Sequence, residues 1–506
     1  MNPVKLKLSL YILAIRARVS TLNRKFRTIS SQKSSWLPAM AIFCLSVWAD
    51  SGGKILNSAS QGKLNDFGKN LVLGFQHLLA MYSGDVLVPL LIGNFLHFNA
   101  AQMTYLVSID IFMCGIATLL QLRKTPLTGI GLPVVLGCAV QSVAPLESIG
   151  GKLGIAYMYG AIICAGIFVF LIAGLFAKMK KLFPPVVTGS LITIIGFTLV
   201  PVGFQNLGGG SAAAKSFGAP ANLAIGFLTI VIILAINAFA KGFVKSIAIL
   251  LGILIASFIA GAFGMVSLTP VAQASWFHLP QIFYFGVPKY NGSAIVTMML
   301  VSLTTMIEST GVYFALSDVT GQKITEDDMK RGYRAEGIAA ILGGIFNTFP
   351  YSTFSQNVGV LRMSGVKTRK PVYYAAFLLL ALGLLPKAGA LATVIPTPVL
   401  GGAMIVMFGM VGVQGIQILQ KADLNKNSNL LVASMSIGLG LGVTVYPQIF
   451  QHLATEAQII LGNGVVVGSL AAVILNLIFN WQDFKKPVQS KIKTSPKAAD
   501  PVMNEN

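Results

Sequence analysis

Charge is what this sequence has least of. Only 10% of its 506 residues are Asp, Glu, Lys or Arg, while 55% are hydrophobic. A soluble chain of this length would carry about a quarter charged residues, so a soluble multidomain protein is excluded. With a mean hydropathy of +0.75, the chain reads as a polytopic membrane protein. Histidine is also scarce, at four residues, and no two have the spacing of metal ligands. Cys44, Cys114, Cys138 and Cys164 all lie in apolar runs without ligand spacing and are read as buried free thiols. No Gly-rich phosphate cradle or nucleophile elbow is present, so neither an enzyme nor a resident metal or cofactor is expected. The net charge of +21 would suit a nucleic-acid partner. The basic residues are scattered among apolar segments rather than grouped on a soluble module, so none is expected.

The apolar runs are what the chain has in abundance. Residues 1–67 form a basic extension in which the apolar stretch 36–50, WLPAMAIFCLSVWAD, is only 15 residues long. A span needs about 20, so the extension is expected to be peripheral or disordered. From Gly68 the candidate spans are 68–93, 101–122, 131–146, 153–177, 183–203, 221–240 and 244–265. A polar connection at 266–291 follows, then 292–317, 332–349, 351–365, 371–388, 397–420, 428–446 and 460–480. Seven spans on each side of the connection require the second half, 292–480, to be inverted relative to the first, 68–265. The expected fold is therefore all-α, with fourteen transmembrane segments as 7+7 inverted repeats and a disordered cytoplasmic tail at 481–506. With the N-terminus inside, the cytoplasmic connections hold sixteen Lys and Arg, and the opposite side holds Lys152, Lys215, Lys289 and Lys387. The positive-inside rule then places both termini in the cytoplasm of a plasma-membrane protein, with its basic tail near lipid headgroups.

The third and tenth segments, GIGLPVVLGCAVQSVAP and PYSTFSQNVGVLRMSG, are short and interrupted by Gly or Pro. Paired interrupted segments at matching positions point to a binding site near the midplane. In the tenth, Pro350 lacks a backbone donor, Tyr351 to Phe354 favour extended structure, and Gly359 removes side-chain bulk. A short strand leading into a half-helix is predicted, presenting Gln356 and Asn357 to a solute.

The acids embedded in spans are few and costly, hence informative. Glu308 is a site candidate, unless neighbouring hydroxyls such as Thr304 satisfy it. Glu336 is either a helix N-terminal acid favoured by the dipole or a proton or cation site coupled to Glu308. His77 is either a satisfied core residue or part of the site, and Asp85 and Asp110 await partners that the sequence does not specify. An ionised Glu308 only accepts hydrogen bonds, whereas Gln356 and Asn357 donate and accept. A planar heterocycle with adjacent ring N–H and carbonyl groups fits that set, as would an amide-bearing solute.

Three separated motifs, QHLLAMYSG at 76–84, ESTG at 308–311 and SQNVGVLRMSG at 355–365, resemble those of the nucleobase-ascorbate transporter family, the nucleobase/cation symporters. The likeness covers about 68–480, and xanthine and uric acid permeases form the most similar branch; uracil permeases place Glu where this chain has Gln356. The resemblance implies that Glu308 accepts from purine ring N–H groups and Gln356 binds the pyrimidine-like edge, with groups near Ser355 and Val140 completing the site. It implies that Asn357, a substrate-site residue, holds the strand-to-helix turn with Gly359, that Glu336 sits in the coupling position, and that His77 ties the first span to the third. It further implies a core and a gate domain, homodimerisation, and alternating access driven by protons, with sodium as the alternative ion. Glu336 stands where relatives often carry Asp, Ser364 where they carry Thr, and Arg362 adds a charge favouring anionic urate. The expected function is uptake of an oxopurine, xanthine or uric acid. The alternatives are a uracil or other nucleobase permease, or a sulfate- or bicarbonate-type anion transporter on the same architecture.

Overall fold

A computed structural model of the protein describes residues 66–178 and 183–481. The expected extension, apart from Asp66 and Phe67, and the expected tail beyond Trp481 lie outside the described residues. The chain divides between Lys69 and Asn70, and the helical body is built from Asn70 onward.

In chain order the first half contains α1 (Asp66–Asp85), α2 (Leu87–Phe95), α3 (Ala100–Leu122), β1 (Leu136–Cys138), α4 (Val143–Lys152), α5 (Ile155–Lys178), α6 (Pro185–Leu207), α7 (Pro220–Phe239) and α8 (Ala248–Ala262). The second contains α9 (Gly292–Thr320), α10 (Glu326–Ile345), β2 (Tyr351–Thr353), α11 (Gln356–Ser364), α12 (Lys370–Gly383), α13 (Pro386–Thr393), α14 (Thr397–Leu419), α15 (Asn427–Val445), α16 (Thr455–Leu461) and α17 (Gly464–Phe479). Among the described residues, eight helices are long and apolar enough to cross a membrane, or up to ten if each of two bent pairs counts as one span.

Local chemistry explains the helix boundaries. Asn99 and Gln102 form a reciprocal capping box at α3, and Thr325 and Asp328 form another at α10. Asn291 caps α9 by accepting from the N–H groups of Ser293 and Ala294, and left-handed Gly321 ends that helix. Three spans expected to be continuous are interrupted. The first has a one-residue interruption at Val86, where Pro89 supplies no N–H to the Asp85 carbonyl four residues back, although Asp66–Phe95 still counts as one span. The eleventh is α12 and α13, bent by 83° with Pro386 opening the second piece. The fourteenth is α16 and α17, bent by 68°, where Asn463 caps α17 through the N–H of Val466.

β1 and β2 form a two-stranded antiparallel sheet with Gly137 opposite Ser352 and Cys138 opposite Tyr351. The bonds continue beyond it, from Ala139 N–H to the Pro350 carbonyl at 2.8 Å and from Phe354 N–H to the Val135 carbonyl at 2.9 Å. Every strand position is buried. Because the strands run antiparallel, α4 and α11 leave them in opposite directions. Around this centre, helices pack through small residues. A Cβ on Gly166 of α5 would lie 2.7 Å from the Gly337 carbonyl of α10, and the reverse contact would be 2.8 Å. Such close backbone approach is how helices pack where lipid removes the hydrophobic drive. The outward faces carry Leu171, Leu175, Val231, Leu234 and Phe239, an apolar exterior suited to lipid.

Candidate substrate site

The strand crossing gathers the residues singled out in the sequence. Glu308 lies mid-way along α9, which packs against β2, α11 and the 3-10 turn Val140–Ser142. Its Oε2 accepts from Gln141 Nε2 at 2.9 Å, and the same amide nitrogen donates to Thr305 Oγ1 at 3.0 Å. The Ser352 hydroxyl is a second donor to Glu308. Thr304 is not its partner, since that hydroxyl donates to the Val301 carbonyl at 2.7 Å. Gln141 escaped the sequence reading, although a lone amide inside an interrupted apolar segment is the signal that identified Gln356.

Burial sorts the expected residues into two groups. Glu308, Val140, Ser355, Gln356 and Gly359 are half-buried, whereas Asn357, His77 and Glu336 are almost fully enclosed. Gly359 lies inside α11 rather than in the strand-to-helix turn, and among the described residues a Cβ there would meet nothing within 4 Å. Asn357 is turned inward: its Nδ2 donates to the His77 carbonyl at 2.9 Å and stands 3.1 Å from His77 Nδ1. His77 thus ties the first span to the tenth segment, not to the third.

Glu336 sits in the third turn of α10, and the acids of that helix's first turn are Glu326, Asp327 and Asp328. The N-terminal dipole therefore does not account for it. Its Oε1 accepts from the Tyr313 hydroxyl at 2.5 Å, and that hydroxyl accepts from Gln121 Nε2 at 2.8 Å. Ser309, adjacent to Glu308, accepts from Thr353 N–H at 3.4 Å. The two glutamates are close enough to interact electrostatically. The arrangement can accept hydrogen bonds at Glu308 and donate and accept at Gln356.

An apolar multi-helix body holding a polar site at two interrupted segments is the design of a membrane transporter. The transmembrane domain of the cyanobacterial bicarbonate transporter BicA matches with a TM-score of 0.53 at 15% identity, over 80% of this chain and 98% of that one. The murine anion transporter Slc26a9 gives 0.56 at 13% identity, over 91% and 75%. These likenesses show the fold alone. The sequence goes further. The profile of the Xan_ur_permease family, described as a permease family, matches residues 68–449. The uric acid permease PucK of Bacillus subtilis is 50% identical over 424 residues, covering 84% of this chain and 98% of the relative. The xanthine permease of the same organism is 49% identical over 427 residues, covering 84% and 97%. The nucleobase transporter PlUacP of Paenibacillus larvae is 51% identical over 412 residues, covering 81% and 94%. The chain belongs to this family, consistent with the nucleobase-ascorbate transporters that its three motifs resemble, and is a multi-pass permease rather than an enzyme.

Proposed function

We propose that this permease is a secondary active transporter taking up an oxopurine, xanthine first and uric acid as the near alternative, by proton symport. The observation that carries the reading is Glu308 itself. It is a half-buried carboxylate held by Gln141, at the strand crossing that also bears the half-buried Ser355 and Gln356. An acceptor beside an amide complements the ring N–H and carbonyl pattern of an oxopurine, and the relatives named for xanthine and uric acid support that class. The anion-exchange alternative draws on the fold likeness to BicA and Slc26a9, but a carboxylate in the site argues against a divalent anion such as sulfate.

In this reading the fourteen segments form the 7+7 inverted repeat, 68–265 and 292–480, with both termini cytoplasmic. Packing supports the symmetry. The α5–α10 pair is mirrored by α3 against α12 and α13, the α7–α8 pair by α15 with α17, and α6 lies against α14 between them. The segments around the strands are the core domain; α6 to α8 and α14 to α17 are the gate. Substrate occupancy changes the protonation of the Glu308 and Glu336 pair, and the core rocks against the gate to expose the site alternately. Two copies pair as a homodimer in the plasma membrane.

Uptake of radiolabelled xanthine into cells lacking their own purine permeases tests the substrate, with unlabelled uric acid, hypoxanthine and uracil as competitors. Saturable uptake blocked by uric acid but not by uracil is expected. No uptake of any nucleobase, with the protein present in the membrane, would overturn the reading.

A further inference from the structure

A second buried polar cluster lies on the other face of the strand pair. Neighbouring strand residues point to opposite faces, so while Ser352 turns to Glu308, Tyr351 turns to Asp110. Asp85, at the end of α1, and Asp110, on α3, have no measurable solvent exposure. Asp85 Oδ1 accepts from the backbone N–H of Cys138 at 2.6 Å, and the Cys114 thiol lies 3.4 Å from Oδ2. Asp110 Oδ1 accepts from the Cys138 thiol at 2.9 Å and from the Tyr351 hydroxyl at 3.1 Å. Asp110 Oδ2, fully buried, has no hydrogen-bond partner among the described residues, although the two carboxyl groups are within reach of each other.

The groups facing this pair are Tyr82 from α1, Cys114 from α3, Cys138 from β1, Tyr159 from α5 and Tyr351 from β2. None is a cation. Two ionised carboxylates at this depth without a cation are prohibitively expensive. The donors already occupy three of the four oxygens, which leaves the geometry of a hydrogen bond between an acid and a carboxylate. The spacing of the Asp85, Asp110 and Cys138 atoms, all within 4.8 Å, would admit a cation, but inward-pointing N–H, S–H and O–H donors oppose one.

We propose that Asp85 and Asp110 bind one proton between them, at a site separate from the Glu308 and Glu336 pair. The pair then carries a single negative charge and pins α1, α3 and both strands from behind the substrate site.

Infrared spectroscopy of the full-length protein in lipid nanodiscs, with isotopically labelled aspartate carboxyls, tests this. At neutral pH the wild type is expected to show a label-shifted carboxylic-acid C=O band. That band should be lost in Asp85→Asn and in Asp110→Asn, where an amide hydrogen replaces the shared proton. No such band in the wild type, or one persisting in either single variant, would overturn the proposal. So would a rise in the wild-type unfolding midpoint with Na+ or Zn2+ that Asp110→Asn abolishes, because the occupant would then be a cation. Should either variant fail to fold, the wild-type band and its insensitivity to cations still decide the question.

Discussion

The Asn357 amide reaches across 280 positions of sequence to donate to the backbone carbonyl of His77 at 2.9 Å, with the ring Nδ1 3.1 Å away. One side chain thereby fastens α11 to α1. Asn357→Asp replaces the donor to the His77 carbonyl with an acceptor. The expected cost is about 1–3 kcal/mol, the usual penalty for unpaired buried polar groups. A lower unfolding midpoint in detergent and uptake reduced by about tenfold or more would register it. An unchanged midpoint and uptake would show that the bond holds nothing.

Gln141 is the neutral donor to Glu308, and charge-assisted bonds of this kind contribute about 1.5–3 kcal/mol. Gln141→Ala is expected to weaken apparent affinity for xanthine by about tenfold or more while the protein still reaches the membrane. Equal affinity in competition uptake would remove Gln141 from the site.

Two glycines should behave in opposite ways. A Cβ at Gly337 would sit 2.8 Å from the Gly166 carbonyl, whereas among the described residues one at Gly359 would meet nothing within 4 Å. Gly337→Ala is expected to lower stability by about 1–3 kcal/mol through overpacking. Gly359→Ala should leave stability within about 0.5 kcal/mol but narrow the space above α11, reducing uptake of uric acid, with its extra oxygen, more than that of xanthine. Thermal unfolding and paired uptake assays separate the two effects.

Asp328, in the first turn of α10 ahead of its apolar part, carries the pH dependence that lies outside the membrane. Burial pushes its carboxyl up, but the bonds from Lys124, Thr325 and Arg331 outweigh that and hold it well below the ordinary carboxylate range. A depressed folded pKa stabilises the protein above the unfolded value, and the gain is lost as pH falls through the folded value. Acidification below about pH 4, where an unperturbed aspartate titrates, should therefore erode the wild-type unfolding midpoint more than that of Asp328→Asn. Parallel curves for the two would contradict the assignment.

The sequence disclosed the interrupted third and tenth segments because Gly and Pro punctuate an otherwise apolar pattern, and both became a strand followed by a half-helix. Glu308 and Glu336 were visible because a carboxylate in an apolar span has few innocuous explanations. Partnerships were not visible. Asp85 and Asp110 meet only once β1 folds between them, and Gln141 finds Glu308 across 167 positions. The inward turn of Asn357 depends on where His77 stands, which no spacing encodes.

Accumulation of tritiated xanthine in proteoliposomes, driven by an imposed proton gradient, tests the role of Glu308 most directly. Wild-type protein should accumulate xanthine only while the gradient lasts, and Glu308→Gln, correctly inserted, should accumulate none. Accumulation by Glu308→Gln at the wild-type rate would contradict the account.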